Sequence, residues 1–274
     1  MSAAPRVREV MLVKLGGSLI TDKRQPGMLR TEVLARLAGE LAEGLPRARQ
    51  RGVGVVLGHG SGSFGHVAAT DSGFAGGPPS AEQAAAISRT QARAAELHRH
   101  VIDALLAAGL SPYTIAPSSA LTLASGEPAA FSGRLLSWAL DRGLLPVLYG
   151  DVAPDLDDGV AICSTETALR AAELALEHED RRVRTALWLG ETAGLLDEAG
   201  ALVPELDPAV RWRVGAAAGT DVTGGMEHRL RSCRELSRRG VVSTLADGRV
   251  PGLLERALRG EPVPGTRVPA TSRH

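Results

Sequence analysis

Short, continuously apolar runs alternate with longer stretches of helical periodicity along most of this chain. The apolar runs predict buried strands at residues 10–15, 53–57, 145–149, 185–189 and 241–245. Helical spacing and alanine-rich composition predict helices at residues 31–49, 80–108, 165–177 and 224–239, with Ser80 as the cap of the second helix. Strands that alternate with helices in this way indicate a mostly parallel sheet with helices on both faces.

Two segments lack this alternation. Residues 71–80 are rich in Gly and Pro, which predicts a loop. Residues 261–274 are rich in Pro and Arg, and we expect a short edge strand there, followed by a disordered end.

Composition excludes several classes of function. The 274 residues carry no net charge and only 3% are aromatic, which indicates neither a nucleic-acid surface nor a membrane surface. Cys163 and Cys233 are too few for a zinc framework or a disulfide scaffold, and we expect them to pack in the core. The sequence shows no signal peptide and no apolar run of membrane-spanning length, so a cytoplasmic protein is expected.

The first two predicted strands both end in loops rich in Gly and Ser. Gly16 and Gly17 follow the first strand, and GHGSGSFGH at residues 58–66 follows the second. Ligands bind at the carboxyl ends of parallel strands, where bare backbone amides can cradle phosphate oxygens. Glycine in one such loop is equally well explained by a tight turn, but two loops at equivalent ends favour anion binding.

Neither loop matches a common nucleotide-binding motif well. The pattern G-x-x-x-x-G-K-[ST] is absent from the chain. Gly60, Gly62 and Gly65 fit G-x-G-x-x-G, but no acidic residue follows at the spacing of a dinucleotide site.

The distribution of lysine points to the first loop. Lys14 and Lys23 are the only lysines among 31 Lys and Arg residues, and both lie beside Gly16 and Gly17. Lysine is a compact, mobile point charge, whereas arginine is a planar fork. A site that places one small cation against a phosphate oxygen therefore has a physical reason to keep lysine.

Four segments in order carry a resemblance to a known family. They are KLGGSLITDK at 14–23, GHGSGSFGH at 58–66, PVLYGDV at 146–152 and DVTGGM at 221–226. Together they resemble the amino-acid kinase superfamily and, within it, the branch of isopentenyl phosphate kinases and fosfomycin kinases. The resemblance implies an α/β fold, a three-layer α/β/α sandwich with a mostly parallel central sheet. It also implies one domain over residues 1–274, with the acceptor on 1–160 and the nucleotide on 161–274.

The resemblance also implies roles for individual residues. Lys14, His66, Glu166 and Arg229 would be catalytic, with Lys14 bridging the two phosphates and His66 contacting an acceptor phosphate or phosphonate. The acceptor would contact Gly60, Gly65, His66, Gly150 and Lys23. ATP, together with Mg²⁺, would contact Lys14, Gly16, Gly17, Ser18, Ser61, Glu166, Gly190, Glu191, Gly224 and Arg229. No side chain is assigned to bind a metal directly, and the family implies a homodimer. Composition already indicates no nucleic-acid or membrane partner.

These residue types suit phosphoryl transfer between two anions. An acceptor phosphate monoester is already an anionic nucleophile near neutral pH, so no general base is required. Two unit charges about 4 Å apart repel by roughly 4 kcal/mol at an effective dielectric of 20. Lys14, His66, backbone amides and Mg²⁺ would lower that repulsion and stabilise an in-line transition state.

Three segments depart from the family pattern. Arg229 stands in place of a lysine. Glu166 stands in place of an aspartate in an altered helix start at 164–167, and Gly190 in place of a threonine in an altered strand end at 190–194. We expect Glu166 to hold Lys14 and Arg229 in position, because an acid longer than aspartate could match a cation larger than lysine. The alternative is a relaxed site with weak catalytic activity. The changes at Gly190 and Glu191 leave nucleotide preference open. Ser61 replaces a glycine, where it would clash or add a hydrogen bond.

Three hypotheses of function follow. The first is an ATP-dependent kinase of a small phosphate monoester, isopentenyl phosphate by resemblance. The second is a kinase of a phosphonate or another specialised metabolite, and the third is a non-catalytic nucleotide-binding protein. Outside these motifs, we expect His59 to be a structural partner of its loop, and His98 and His100 to face solvent.

Overall fold

The computed structural model describes residues 7–22, 24–25, 27–64, 80–197, 199–208 and 224–271. Its strands, in chain order, are β1 Glu9–Leu15, β2 Val53–His59, β3 Pro112–Thr114, β4 Leu121–Ala124, β5 Glu127–Phe131, β6 Leu145–Tyr149, β7 Asp151–Asp155, β8 Gly159–Cys163, β9 Arg182–Gly190, β10 Val242–Asp247 and β11 Thr266–Val268. Its helices are α1 Gly17–Ile20, α2 Thr31–Gln50, α3 Ala81–Ala107, α4 Pro117–Ala120, α5 Gly133–Asp141, α6 Thr165–Glu177, α7 Gly224–Arg238 and α8 Leu253–Leu258.

The central sheet has the strand order β11-β10-β9-β1-β2-β6-β3. All of its neighbouring strands run parallel except β10 and β11, which pair antiparallel. The predicted strands and helices and the mostly parallel sheet are therefore confirmed. The expected edge strand near the end of the chain is also confirmed as β11, while residues 272–274 lie outside the described part.

Side chains of β1 alternate between two cores, one on each face of the sheet. Val10 and Leu12 pack with α5, α6 and α7, whereas Met11 and Val13 pack with α2, α3 and α8. Because successive residues of a strand point to opposite faces, Lys14 emerges on the side of α6 and α7. The alternation thus turns Lys14 toward two helices that begin more than 150 positions later in the sequence.

A second, smaller sheet with the order β5-β4-β7-β8 was not predicted. Strands β4 and β5 form a hairpin whose turn, Ser125 and Gly126, has positive φ angles of 49° and 78°. The carboxylate of Asp155 accepts hydrogen bonds from the backbone N–H groups of both turn residues. The strands are short, and β5 contains a proline and two alanines, so its residues lack the apolar run or alternation that marks a strand.

The carboxyl ends of β1, β2, β6 and β9 lie along one edge of the central sheet, because these strands run parallel. Helix α6 begins at the same edge, after its cap residue Ser164 accepts a hydrogen bond from the backbone N–H of Thr167. No helix among the described residues is long and apolar enough to cross a membrane.

Candidate active site

The backbones of the two glycine-rich loops contact each other directly. Gly60 donates its N–H to the carbonyl of Leu15 at 2.9 Å. A Cβ on Gly17 would lie 2.3 Å from the backbone nitrogen of Gly62, and a Cβ on Gly60 would lie 2.7 Å from that of Gly17. Only glycine lets the loops approach so closely, and the approach places their amides side by side.

Thr21 fastens this contact. Its hydroxyl donates to the carbonyl of Gly17 at 2.8 Å and accepts from the backbone N–H of Ser63 at 3.0 Å. Thr21 is fully buried, and Gly62 beside it has a φ of +51°, which favours glycine. One side chain thus holds both loops together, a role that no local sequence pattern predicts for Thr21.

Gly150 brings the end of β6 to the same place. Its N–H donates to the carbonyl of His59 at 3.1 Å, and that carbonyl also accepts the hydroxyl of Thr165 at 2.7 Å. Ser61 lies beside it, with its backbone nitrogen 3.5 Å from the point that a Cβ on Gly150 would occupy. Two of the five residues expected to contact an acceptor, Gly60 and Gly150, therefore lie within one small region, although both donate their own N–H groups to backbone carbonyls.

Lys14, Glu166 and Arg229 form a charged triad beneath the loops. The ammonium of Lys14 hydrogen-bonds to Oε1 of Glu166, and each of the two residues is only 5% exposed. Nε of Arg229 lies 3.8 Å from the same oxygen. The expectation that Glu166 lies between Lys14 and Arg229 therefore agrees with the geometry.

The electrostatics of the triad favour an incoming anion. Burial raises the pKa of Glu166, but Lys14 and Arg229 outweigh burial, so the pKa is lowered and the carboxyl is ionised. Burial lowers the pKa of Lys14, and Arg229 lowers it further, against the contact with Glu166. With both cations protonated the triad carries one excess positive charge away from bulk water, which a phosphate group would neutralise.

Strand β9 contributes the fourth strand end. Gly16 donates its N–H to the carbonyl of Leu189 at 2.8 Å, which places the first loop against Gly190. Glu191, expected to contact the nucleotide, forms an ion pair with Arg30 at the start of α2. Arg30 was not singled out from the sequence, because its partner lies 161 positions away.

A chain of hydrogen bonds supports the second loop from below. Nδ1 of His59 lies 3.2 Å from the carbonyl of Gly60, and its Nε2 lies 3.0 Å from Nδ1 of His98. Nε2 of His98 lies 2.8 Å from the hydroxyl of Thr114. Because a carbonyl only accepts, His59 donates to Gly60, His98 donates to His59, and Thr114 donates to His98.

The expectation that His98 faces solvent is wrong, because its ring is buried and stacks on Tyr149 at 4.2 Å between centroids. Burial lowers the pKa of His59 to about 3 and that of His98 to about 4, so both are neutral near pH 7. His100 is exposed as expected. His59 is a structural partner of its loop, as expected, and holds the carbonyl of Gly60.

Several predicted site residues lie outside the described part of the chain. They are Lys23, Gly65 and His66, together with most of the predicted loop at 71–80. Gly224 is the first residue of α7, the helix that carries Arg229, and Ser18 lies half-buried in α1. Cys163 and Cys233 are free and buried, as expected for packing residues, and burial raises the pKa of both thiols to about 12.

Comparison with known proteins identifies relatives over nearly the whole chain. The sequence profile of the amino acid kinase family matches residues 9–245. The isopentenyl phosphate kinase of Methanothermobacter thermautotrophicus is 32% identical over 283 residues, covering 97% of this chain and 100% of that protein. The isopentenyl phosphate kinase of Haloferax volcanii is 31% identical over 262 residues, covering 92% and 99%.

A solved structure of an isopentenyl phosphate kinase has the same fold. It aligns with a TM-score of 0.77 at 26% identity, covering 94% of this chain and 99% of that one. The expected three-layer α/β/α architecture and the resemblance drawn from the four motifs are both confirmed. The chain belongs to the amino acid kinase family.

Proposed function

We propose that this kinase transfers the γ-phosphoryl group of ATP to isopentenyl phosphate and forms isopentenyl diphosphate. The observation that carries the proposal is the buried triad of Lys14, Glu166 and Arg229 directly beside two interlocked glycine loops. That arrangement places one excess positive charge against the backbone of both loops. The relatives that match nearly the full chain carry the name of this activity.

The acceptor and the nucleotide occupy different parts of the edge in this proposal. The acceptor lies on residues 1–160, against Gly60 and Gly150, with Gly65, His66 and Lys23 as further contacts. The nucleotide lies on residues 161–274 and the first loop. Its proposed contacts are Lys14, Gly16, Gly17, Ser18, Ser61, Glu166, Gly190, Glu191, Gly224 and Arg229.

Lys14 stands where the two sets of contacts meet. It emerges from β1, between the end of β2 on the acceptor side and the end of β9 on the nucleotide side. Its ammonium would bridge donor and acceptor oxygens and lower the repulsion between them. Among the described residues Glu166 is the hydrogen-bond partner of the ammonium, whose other protons would contact phosphate. The acceptor phosphate needs no general base, and we propose no residue for that role.

Mg²⁺ fits this site only as a companion of the nucleotide. The described residues contain no cluster of three His, Cys, Asp or Glu side chains that could hold a metal ion. Mg²⁺ commonly binds through substrate phosphates with few protein ligands. When bound it would neutralise charge on the phosphates of ATP, while Lys14 and Arg229 do so from the protein side.

A homodimer in the cytoplasm is part of the same proposal, by similarity to the family. Light scattering on the purified protein tests the oligomeric state directly. A mass near twice 28.5 kDa supports the dimer, and a mass near 28.5 kDa contradicts it.

A screen of acceptors tests the proposed substrate. The protein is incubated with ATP, Mg²⁺ and one acceptor at a time, and formation of ADP and of the phosphorylated product is followed. The acceptors are isopentenyl phosphate, dimethylallyl phosphate, shorter alkyl phosphates and a small phosphonate. The highest kcat/KM is expected for isopentenyl phosphate; a preference for the phosphonate, or ATP binding without any product, would refute the proposal.

A further inference from the structure

Arg229 lies directly against Gly190. A Cβ built on Gly190 would lie 2.8 Å from Nη1 of Arg229, closer than Cβ atoms approach neighbouring atoms in proteins. Nε of the same guanidinium has no hydrogen-bond partner among the described residues and lies 3.8 Å from Glu166. The guanidinium is therefore positioned by the ion pair on one side and by the missing side chain of Gly190 on the other.

The backbone at Gly190 is fixed by its neighbours. Its carbonyl accepts the N–H of Gly248 at 2.8 Å, and Gly190 pairs with Asp247 in the β9–β10 register. On the opposite side, Gly16 bonds to the carbonyl of Leu189. A side chain at position 190 would therefore displace the flexible end of Arg229 rather than the strand.

Two departures from the family pattern thus occupy the same space. Arginine is bulkier than lysine. Because Gly190 has no side chain, the end of Arg229 occupies the space that a side chain at position 190 would fill. The sequence alone suggested only that Arg229 was matched to the length of Glu166. The contact adds a third member, Gly190, whose effect is steric.

We propose that Gly190 is a positioning residue that sets where the guanidinium of Arg229 meets the phosphates of the nucleotide. Positions 190 and 229 then form an exchangeable pair. A side chain at 190 is tolerated with lysine at 229 and is harmful with arginine. This inference rests on the proposed function for the identity of the ligand, but the contact itself does not.

A double-mutant cycle tests the pair. The four proteins are the wild type, Gly190→Ala, Arg229→Lys and the double variant, and the primary measurement is the Kd for ATP by calorimetry. Gly190→Ala is expected to weaken ATP binding at least tenfold when Arg229 is retained, because the guanidinium moves. In the Arg229→Lys background the same change is expected to have less than a threefold effect.

Gly16 supplies a matched control. A Cβ on Gly16 would also come within 2.8 Å of a neighbour, but that neighbour is the backbone carbonyl of Leu189. Gly16→Ala is therefore expected to weaken ATP binding by the same factor with arginine or lysine at position 229. Its cost in melting temperature should exceed that of Gly190→Ala, because backbone has to move.

The outcomes separate this inference from the proposed function. An equal effect of Gly190→Ala on the Kd in both backgrounds, or no effect in the wild type, would overturn the pairing. Failure of Gly190→Ala to fold would overturn it as well, because the added Cβ would then have disrupted strand β9 instead of displacing the guanidinium. If Gly190→Ala affects the Kd for ATP only when Arg229 is present, but isopentenyl phosphate is not turned over, the pairing of positions 190 and 229 stands and only the proposed substrate is refuted. With turnover, kcat and KM for ATP should change in Gly190→Ala while KM for the acceptor stays within threefold.

Discussion

Glu166 is the residue that lets two cations share a buried site. Its carboxylate bonds to Lys14 and faces Arg229, and it lies in the first turn of α6, where the helix dipole also favours a negative charge. Without it, Lys14 and Arg229 would repel each other with little water to screen them. The carboxylate thus stabilises the folded protein and, in the proposed function, orders the cations for a phosphate ligand.

Replacement of Glu166 by Gln tests this balance. The variant keeps the shape of the side chain but leaves two positive charges together, so we expect a loss of about 3 kcal/mol in unfolding free energy. Chemical denaturation measures the loss, and Glu205→Gln, which removes an exposed ion pair with Arg267, serves as control. The control is expected to stay within about 0.5 kcal/mol of the wild type. Equal stability of both variants would show that Glu166 does not balance the cations.

At the scale of elements, the candidate site depends on two loops whose backbones meet directly. Gly17 and Gly60 allow the end of β1 to meet the end of β2, and Thr21 joins the two. Their amides share one edge with Gly150 and Gly190 because the strands run parallel. The geometry is thus a property of strand direction and of glycine placement together.

Gly17→Ala is expected to force the loops apart. The added Cβ meets the backbone of Gly62 at 2.3 Å, which no rotamer change can relieve, so both stability and ATP affinity should fall. Gly39→Ala is the matched control, because Gly39 lies inside α2 with no atom within 4 Å of its added Cβ. That control is expected to stabilise the protein by about 0.5–1 kcal/mol. Thermal melts with and without ATP measure both effects; unchanged ATP affinity in Gly17→Ala would contradict the role of the loop contact.

The pair of His59 and His98 predicts a dependence of stability on pH. Their folded pKa values, about 3 and about 4, lie below the ordinary value of 6.5. The unfolded chain therefore binds more protons, and stability that is present above pH 6.5 is lost as the pH falls toward 4. Each histidine contributes a slope of about 1.4 kcal/mol per pH unit in that window.

Replacement of His98 by Gln should reduce that slope. Urea titrations between about pH 7 and about pH 4.5 give the unfolding free energy at each pH, and the variant is expected to lose the contribution of about one proton. His100→Gln, on the same helix but exposed, is expected to keep the slope of the wild type. Identical slopes for His98→Gln and the wild type would show that His98 is not held neutral by its surroundings.

The sequence predicted the elements that have strong local patterns. Strand β1 was found because its apolar run is covered on both faces, and Lys14 and Glu166 were found through motifs. The burial of His98 was missed because its partner, His59, lies 39 positions away. The contact of Gly190 with Arg229 was likewise invisible, since it depends on where α7 packs relative to β9.

For the whole molecule, the small sheet helps to place the helix that carries Arg229. Glu127 in β5 pairs with Arg170 of α6 at 2.6 Å and with Arg231 of α7 at 2.5 Å. Arg170 also pairs with Glu235 of α7. Single surface ion pairs contribute little, but this network joins three elements around the helix that bears a site residue.

The fate of the γ-phosphoryl group distinguishes phosphoryl transfer to isopentenyl phosphate from hydrolysis of ATP. The protein is given ATP labelled with ³²P at the γ position, Mg²⁺ and isopentenyl phosphate, and the products are separated. We expect the label in isopentenyl diphosphate, and a rate at least about 10²-fold lower in a folded Lys14→Ala variant, because one electrostatic contact to the transition state is removed. Label found only in inorganic phosphate, or a Lys14→Ala variant as fast as the wild type, would refute the proposed reaction and the role of Lys14.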